Sequence, residues 1–123
     1  MSFYQKFYEE PQYKRVRFLL DYRPPEYEEI RRLIDSGAAD ERTEQLVDYL
    51  NFFEFVASLW ELGQISLRDV RMLFEYYIKN LETHEWVGAF VRTQGFESLA
   101  KLLKAMSKRV SNDATPLCIR NPP

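Results

Sequence analysis

Histidine, cysteine and paired carboxylates are the side chains best suited to chemistry at neutral pH, and this chain of 123 residues holds one histidine and one cysteine. His84 has Glu82 and Glu85 beside it, neither at the i+4 spacing that sets two metal ligands on one helical face. A Ser-His-Asp triad or a histidine-based metal site would have to be built around this one ring, so a histidine that is merely packed or exposed is the expectation. Glu54 and Glu61, two turns apart, would need a partner helix to hold a metal. No Glu-x-x-His motif accompanies them, and a solvated face is expected there. Cys118 has only Arg120 near it to lower its pKa and is expected to be unreactive. Gly37, Gly63, Gly88 and Gly95 are scattered, so no phosphate-cradling loop exists. The sequence therefore offers no catalytic residue, no metal site and no cofactor site.

Two features remain that bind rather than react. Lys101, Lys104 and Lys108, with Arg109 adjacent, share one side of a helical stretch and form a candidate contact for nucleic acid or another polyanion. Val47, Phe55, Met72 and Tyr76 fall off the main apolar stripes of their helices. Either further helices cover them or they contact a partner chain. The outline helix, turn, helix over residues 52–81 resembles a DNA-reading motif, but its second helix spends Leu73, Phe74, Tyr77 and Ile78 on packing. Specific DNA binding is not expected.

The elements that must position these residues follow from periodicity. From Thr43 to Trp60, Leu46, Leu50, Phe53, Ala57 and Trp60 recur at helical spacing, widened by Tyr49, Phe52, Val56 and Leu59. From Leu67 to Leu81, Val70, Leu73, Phe74, Tyr77 and Ile78 share a face. Gly63 suits a left-handed helix end, and Ser66 with Asp69 reads as the next helix start. An antiparallel hairpin centred on Gly63 is the predicted nucleus of the fold.

Ahead of it, Ser2 is a candidate cap for an aromatic helix bearing Phe3, Tyr4, Phe7 and Tyr8. Pro11 opens a second helix, and Pro24–Pro25 precede a third that ends at Ser36–Gly37. Beyond Leu81 the stripe changes side, since Trp86, Val87, Phe90 and Val91 would face away from Val70 and Phe74 in one straight helix. A kink or break near Glu82 to His84 is therefore predicted, with Thr83 as a candidate new cap; the alternative is a continuous helix whose far end faces a different neighbour, such as the N-terminal aromatics. Gly95 precedes a last helix bearing Phe96, Leu99, Leu102, Leu103, Met106 and Val110. Residues 111–123, with three prolines and no periodicity, read as a loosely ordered tail.

Bulk properties agree with a single all-α domain over residues 1–110, a small bundle of five or six helices. Hydrophobic content of 46% and aromatic content of 15% supply a core and argue against global disorder. With one cysteine, no internal disulfide forms. No secretory signal or membrane-length apolar run is present, so a cytoplasmic, membrane-free protein is expected. The net charge of −2 divides unevenly: residues 1–63 hold 13 acidic and 8 basic side chains, residues 64–123 hold 6 and 9.

The run YLNFFEFVASLWELGQISLRDVRMLFEYYI, followed by the Trp86 segment and GFESLAKLLK, resembles a bacterial and phage family of uncharacterised helical proteins, the domain of unknown function numbered 4760. The likeness spans residues 46–104 and rests on packing residues and a turn. It implies an all-α fold and brings no catalytic residues. Some relatives of that kind carry a membrane segment ahead of the helical part; none is read in this sequence, so a soluble form is the expectation. Lys79 and His84 are also spaced like the Arg-x-x-x-x-His pair of helical ribonuclease toxins, but lysine stands where that motif has arginine, and ribonuclease activity is not expected. The expected function is a noncatalytic module that binds another protein or its own copy, with a phage-encoded or defence-related inhibitor as one form. The alternative is polyanion binding.

Overall fold

The computed structural model describes residues 2–107. Lys108, Arg109, Val110, Cys118 and the predicted tail lie outside them. The described residues form seven helices and no strand: α1 Phe3–Glu9, α2 Pro11–Tyr22, α3 Glu26–Ser36, α4 Glu41–Glu61, α5 Leu67–Thr83, α6 Glu85–Thr93 and α7 over 97–107. The all-α expectation holds. The count is seven, above the five or six expected, and the breaks expected before Pro11 and near His84 are both present.

Local chemistry accounts for most boundaries. Ser2 accepts from the Gln5 N–H while the Gln5 side chain accepts from the Ser2 N–H, a complete capping box. Pro11 occupies the first turn of α2. α4 begins earlier than its apolar stripe suggests, because Asp40 accepts from the Arg42 and Thr43 N–H groups and Thr43 returns a bond to the Asp40 backbone. After α4, Gly63 adopts φ 76°, the Gln64 N–H reaches the Leu59 carbonyl and the Gly63 N–H reaches that of Trp60. That left-handed closure reverses the chain. Ser66 then accepts from the Asp69 N–H at 3.0 Å, without a reciprocal bond.

The greasy sides of α4 and α5 do face each other, through Phe52, Phe53 and Phe74 at ring separations of 5.7 Å. The hairpin is not closed by its two helices alone. Phe7 of α1 is fully buried between them, with ring centroids 5.2 Å from Phe53, 5.3 Å from Phe52, 5.4 Å from Phe74 and 5.0 Å from Tyr77. Arg17 of α2 then donates to the Phe7 and Tyr8 carbonyls at 2.9 and 3.3 Å, satisfying the open end of α1, and lays its guanidinium 4.7 Å over the Phe7 ring. α2 also packs along α4 through Tyr13, Val16, Leu19 and Leu20.

On the other side of the bundle, α7 buries Leu99, Leu102, Leu103 and Met106. Its first-turn amides are capped from α4. The Glu54 carboxylate accepts from the Ser98 and Leu99 N–H groups at 3.2 and 2.8 Å, while Glu61 accepts from the Ser98 hydroxyl and pairs with Lys101 at 3.1 Å. Glu54 and Glu61 are therefore structural ligands of α7, not the solvated face their spacing suggested. At the far end of α7, Arg71 donates to the Met106 carbonyl at 2.8 Å.

Replacing Phe7 with alanine removes a ring that touches α2, α4 and α5 at once. The substitution is expected to lower unfolding free energy by about 3–5 kcal/mol, read as a drop in urea midpoint with an unchanged slope.

Candidate interaction surfaces

The break at His84 is where the sequence placed it, and its cause is visible. His84 has extended backbone angles (φ −103°, ψ 98°) and serves as the end of α5 and the start of α6. Thr83 is not the cap. Its hydroxyl turns back to the Asn80 carbonyl at 2.8 Å, and no side chain caps α6.

The His84 ring is 2% exposed. Its Nδ1 lies 2.6 Å from the Tyr27 hydroxyl, and that hydroxyl accepts from Trp86 Nε1 at 2.8 Å. Tyr27 can use its own proton only by donating to His84 Nδ1, which leaves the Nε2–H for the backbone of Leu20. Every polar atom of the three rings is thus engaged, and the chain joins α2, α3 and α6 at the bend. Arg23 holds a left-handed φ of 48° at the end of α2, and its guanidinium lies 5.1 Å over the Tyr27 ring.

Burial pulls the His84 pKa below its ordinary 6.5, and the Arg23 charge acts in the same direction. The Leu20 backbone bond and Asp21 oppose the shift. A neutral buried imidazole hydrogen-bonded on both sides is a structural strut. It presents no open ring nitrogen to a substrate.

Four residues were singled out as a partner surface, and they do not meet in one place. Val47 is half-buried against the core and lines a depression between α3, α4 and α6. Phe55, 52% exposed, stands beside Lys6, Gln12 and Asn51. Met72 and Tyr76, 71% and 60% exposed, share one face of α5. There the Tyr76 hydroxyl donates to the Asp21 carboxylate at 2.9 Å, and Asn80 donates to the same oxygen at 3.1 Å. This bond, then the Asp21 charge and a smaller effect of Tyr22, raise the Tyr76 pKa.

The α2 side of that clasp supplies residues the sequence reading overlooked. Phe18 and Tyr22, i and i+4 with ring centroids 5.0 Å apart, are also exposed. Phe18 and Tyr22 on α2 and Met72 and Tyr76 on α5 are therefore exposed apolar side chains on two helices that the Asp21–Tyr76 bond joins. The signal available in the sequence was that Phe18 and Tyr22 lie outside the Tyr13, Val16, Leu19, Leu20 stripe.

The basic stripe is partly neutralised. Lys101 is tied to Glu61, which raises its pKa, whereas Lys104 has no ion partner among the described residues. Arg92, 3.7 Å from Glu82, joins them around a groove of about 560 Å³ between α5, α6 and α7. Among the described residues no group of three or more histidine, cysteine or acidic side chains is placed to hold a metal, and no helix is long and apolar enough to cross a membrane.

Comparison of the chain with protein-family models, with curated proteins and with solved structures finds no match in any of the three.

The Tyr27–His84–Trp86 chain makes stability sensitive to pH in a defined window. The folded pKa is depressed, so its contribution is complete above pH 6.5 and is lost as pH falls through the folded value. The carboxylates held low by Arg42, by Lys79 and, for Glu61, by the Ser98 hydroxyl and then Lys101 titrate below their ordinary 3.8–4.5, outside that window. Urea midpoints should therefore fall between pH 7 and 5 in the native chain and stay flatter in His84→Gln. Tyr27→Phe, which strands Trp86 Nε1 and His84 Nδ1 in the interior, should cost about 1–3 kcal/mol at pH 7.

Proposed function

We propose that this protein is a noncatalytic helical module whose work is protein recognition, and that the first partner of its α2–α5 face is a second copy of the chain. The observation that carries this reading is the exposure of Phe18, Tyr22, Met72 and Tyr76 on two helices joined by the Asp21 clasp, in a fold that buries or half-buries its other described rings apart from Phe55. Aromatic side chains supply large contact area at small conformational cost, which is why they dominate the centres of interfaces. The Asp21 clasp to Tyr76 and Asn80 fixes that face before any partner arrives.

Charge supports self-recognition. Lys14, Phe18, Tyr22 and Asp21 lie along one side of α2, cation at one end and carboxylate at the other. A two-fold axis near Phe18 would bring Lys14 of each copy to Asp21 of the other, as an isologous interface requires. A cytoplasmic setting suits a chain with a single cysteine.

A second reading, polyanion binding through Arg92, Lys101 and Lys104, is favoured by the groove those cations share. It is distinguished by salt, because phosphate contacts weaken steeply as ionic strength rises.

Light scattering after size-exclusion chromatography should give twice the monomer mass, and the Phe18→Glu/Tyr22→Glu double variant should return to monomer with unchanged circular dichroism. A strict monomer up to about 1 mM, a concentration at which even weak pairs associate, removes the self-association reading. Binding of a generic single-stranded oligonucleotide at low salt, lost with Lys101→Ala/Lys104→Ala, would put the polyanion reading in its place.

A further inference from the structure

The opposite side of the bundle carries a second surface, of different chemistry. The Gly37 turn, with φ 79° and no atom within 4 Å of a built Cβ, leaves a notch between α3 and α4. Ala38 and Ala39 keep it shallow, and Ile34, Val47 and Phe90 line it, giving a depression of about 470 Å³. A smaller one of about 200 Å³ between α3 and α6 shares Ile34, Phe90 and Gln94 with it. The two adjoin as one groove across α3, α4 and α6, apolar in its larger part.

Its charges all have one sign. Glu44 and Asp48 stand on the α4 wall, one turn apart, and Asp35 on the α3 wall; no lysine or arginine lines either depression. Asp35 is 3.9 Å from Arg31. Glu44 and Asp48 make no ion pair or side-chain hydrogen bond among the described residues, whereas further along α4 Glu54 caps α7 and Glu61 holds Lys101. Like charges at i and i+4 destabilise a helix by roughly 0.2–0.5 kcal/mol. The pair thus stands beside an unfilled groove with no ion partner within hydrogen-bonding reach among the described residues.

We infer that this groove, centred on Val47 and Phe90 and edged by Glu44 and Asp48, receives an amphipathic helix of a partner protein. That helix carries an apolar stripe and two cations one turn apart along its edge. Its apolar residues fill the space between Ile34, Val47 and Phe90. Its lysines or arginines sit against Glu44 and Asp48, whose side chains, roughly 6 Å apart at their roots, match the i, i+4 spacing of a helix lying along α4. Helix-in-groove recognition uses this combination of anchors and flanking charge. The proposal concerns a different face from the α2–α5 surface, so either can fail without the other.

The test uses a synthetic amphipathic peptide of about four helical turns, with leucines at i, i+4 and i+7 and lysines at i, i+4 on one flank. Titration into the full-length, isotopically labelled protein is followed by amide chemical shifts. Saturable shifts centred on residues 34–48 and 86–94 are expected. Glu44→Lys/Asp48→Lys, both exposed positions and checked for fold by circular dichroism, should weaken binding at least about tenfold and gain affinity for the same peptide with glutamates in place of its lysines. Val47→Asn should weaken the leucine peptide while leaving the amide spectrum native. The proposal is overturned if a peptide with asparagines replacing the leucines binds equally well, which would mean bare charge attraction. It is equally overturned if the shifts map to the α2–α5 face, or if no shift occurs at millimolar peptide.

Discussion

The bundle depends on one aromatic ring placed where two helices would otherwise leave a gap. α4 and α5 are joined so closely at Gly63 that they must run side by side, and large side chains line both facing stripes. Phe7 occupies the space between Tyr49, Phe52, Phe53, Phe74 and Tyr77, with neighbours mostly edge-on, as the ring quadrupole favours. A helix of seven residues has little stability of its own. What keeps α1 in place is the cap at each end, Ser2 with Gln5 at the start and the Arg17 guanidinium at the finish, together with the burial of Phe7. Arg17 in turn ties α1 to α2, and α2 to the flank of α4. The order of assembly in space is thus hairpin, wedge, clamp.

The bend at His84 solves a different problem. α5 and α6 need their apolar sides to point in different directions, because Val70, Phe74 and Ile78 are buried on α5 whereas Val87 and Val91, buried on α6, would lie on the opposite side of one straight helix. A continuous helix cannot do both without exposing one set. Interrupting it frees backbone groups that have to be satisfied in the interior. The His84 carbonyl accepts from the Val87 and Gly88 amides, and the His84 side chain enters the Tyr27–Trp86 chain. A polar cluster inside an apolar bundle specifies geometry only when every member is paired, and here the three rings meet that condition. The left-handed Arg23 belongs to the same corner, where a guanidinium over Tyr27 adds a cation–π contact.

How much of this was legible in the sequence divides along a physical line. Features set by residues within about one turn of each other could be read directly: the capping serines, the proline starts, the Gly63 reversal, the stripes of α4, α5 and α7 and the change of side after Leu81. Features set by partners far apart could not. Glu54 looked like a solvated carboxylate because the amides it caps lie 44 and 45 residues later. Tyr27 looked like one more stripe residue because His84 and Trp86 are 57 and 59 positions away. Thr83 looked like a helix start because its hydroxyl was available on paper, yet the nearer Asn80 carbonyl takes it. Among the surface residues the same line holds. Met72 and Tyr76 were recognisable as surplus from their own helix, but grouping them with Val47 and Phe55 required knowing which helices neighbour α5, and α2 proved to be the one that adds Phe18 and Tyr22.

Burial elsewhere makes the remaining exposed groups informative. Exposed single apolar residues are ordinary on any protein. What separates the α2–α5 face is that its rings are held rather than loose: Phe18 stacks on Tyr22, Tyr76 is fixed by Asp21 and packs at 5.2 Å on Tyr77, and Tyr77 accepts from Tyr8 in the wedge itself. The face is therefore continuous, through Tyr77, with the Phe7 cluster. A partner seated on it would press on the ring that holds α4 and α5 together. A ligand that bound there only in the folded state would add its binding free energy to folding. The groove around Val47 has no such continuity. Its walls are set by the Gly37 turn and by α6, and its carboxylates bear on no part of the aromatic cluster except Tyr13, whose phenol Asp48 pushes upward after burial has done most of the shifting. One small core thus supports two faces of different kinds, an aromatic one joined to the wedge and an acidic one set apart from it.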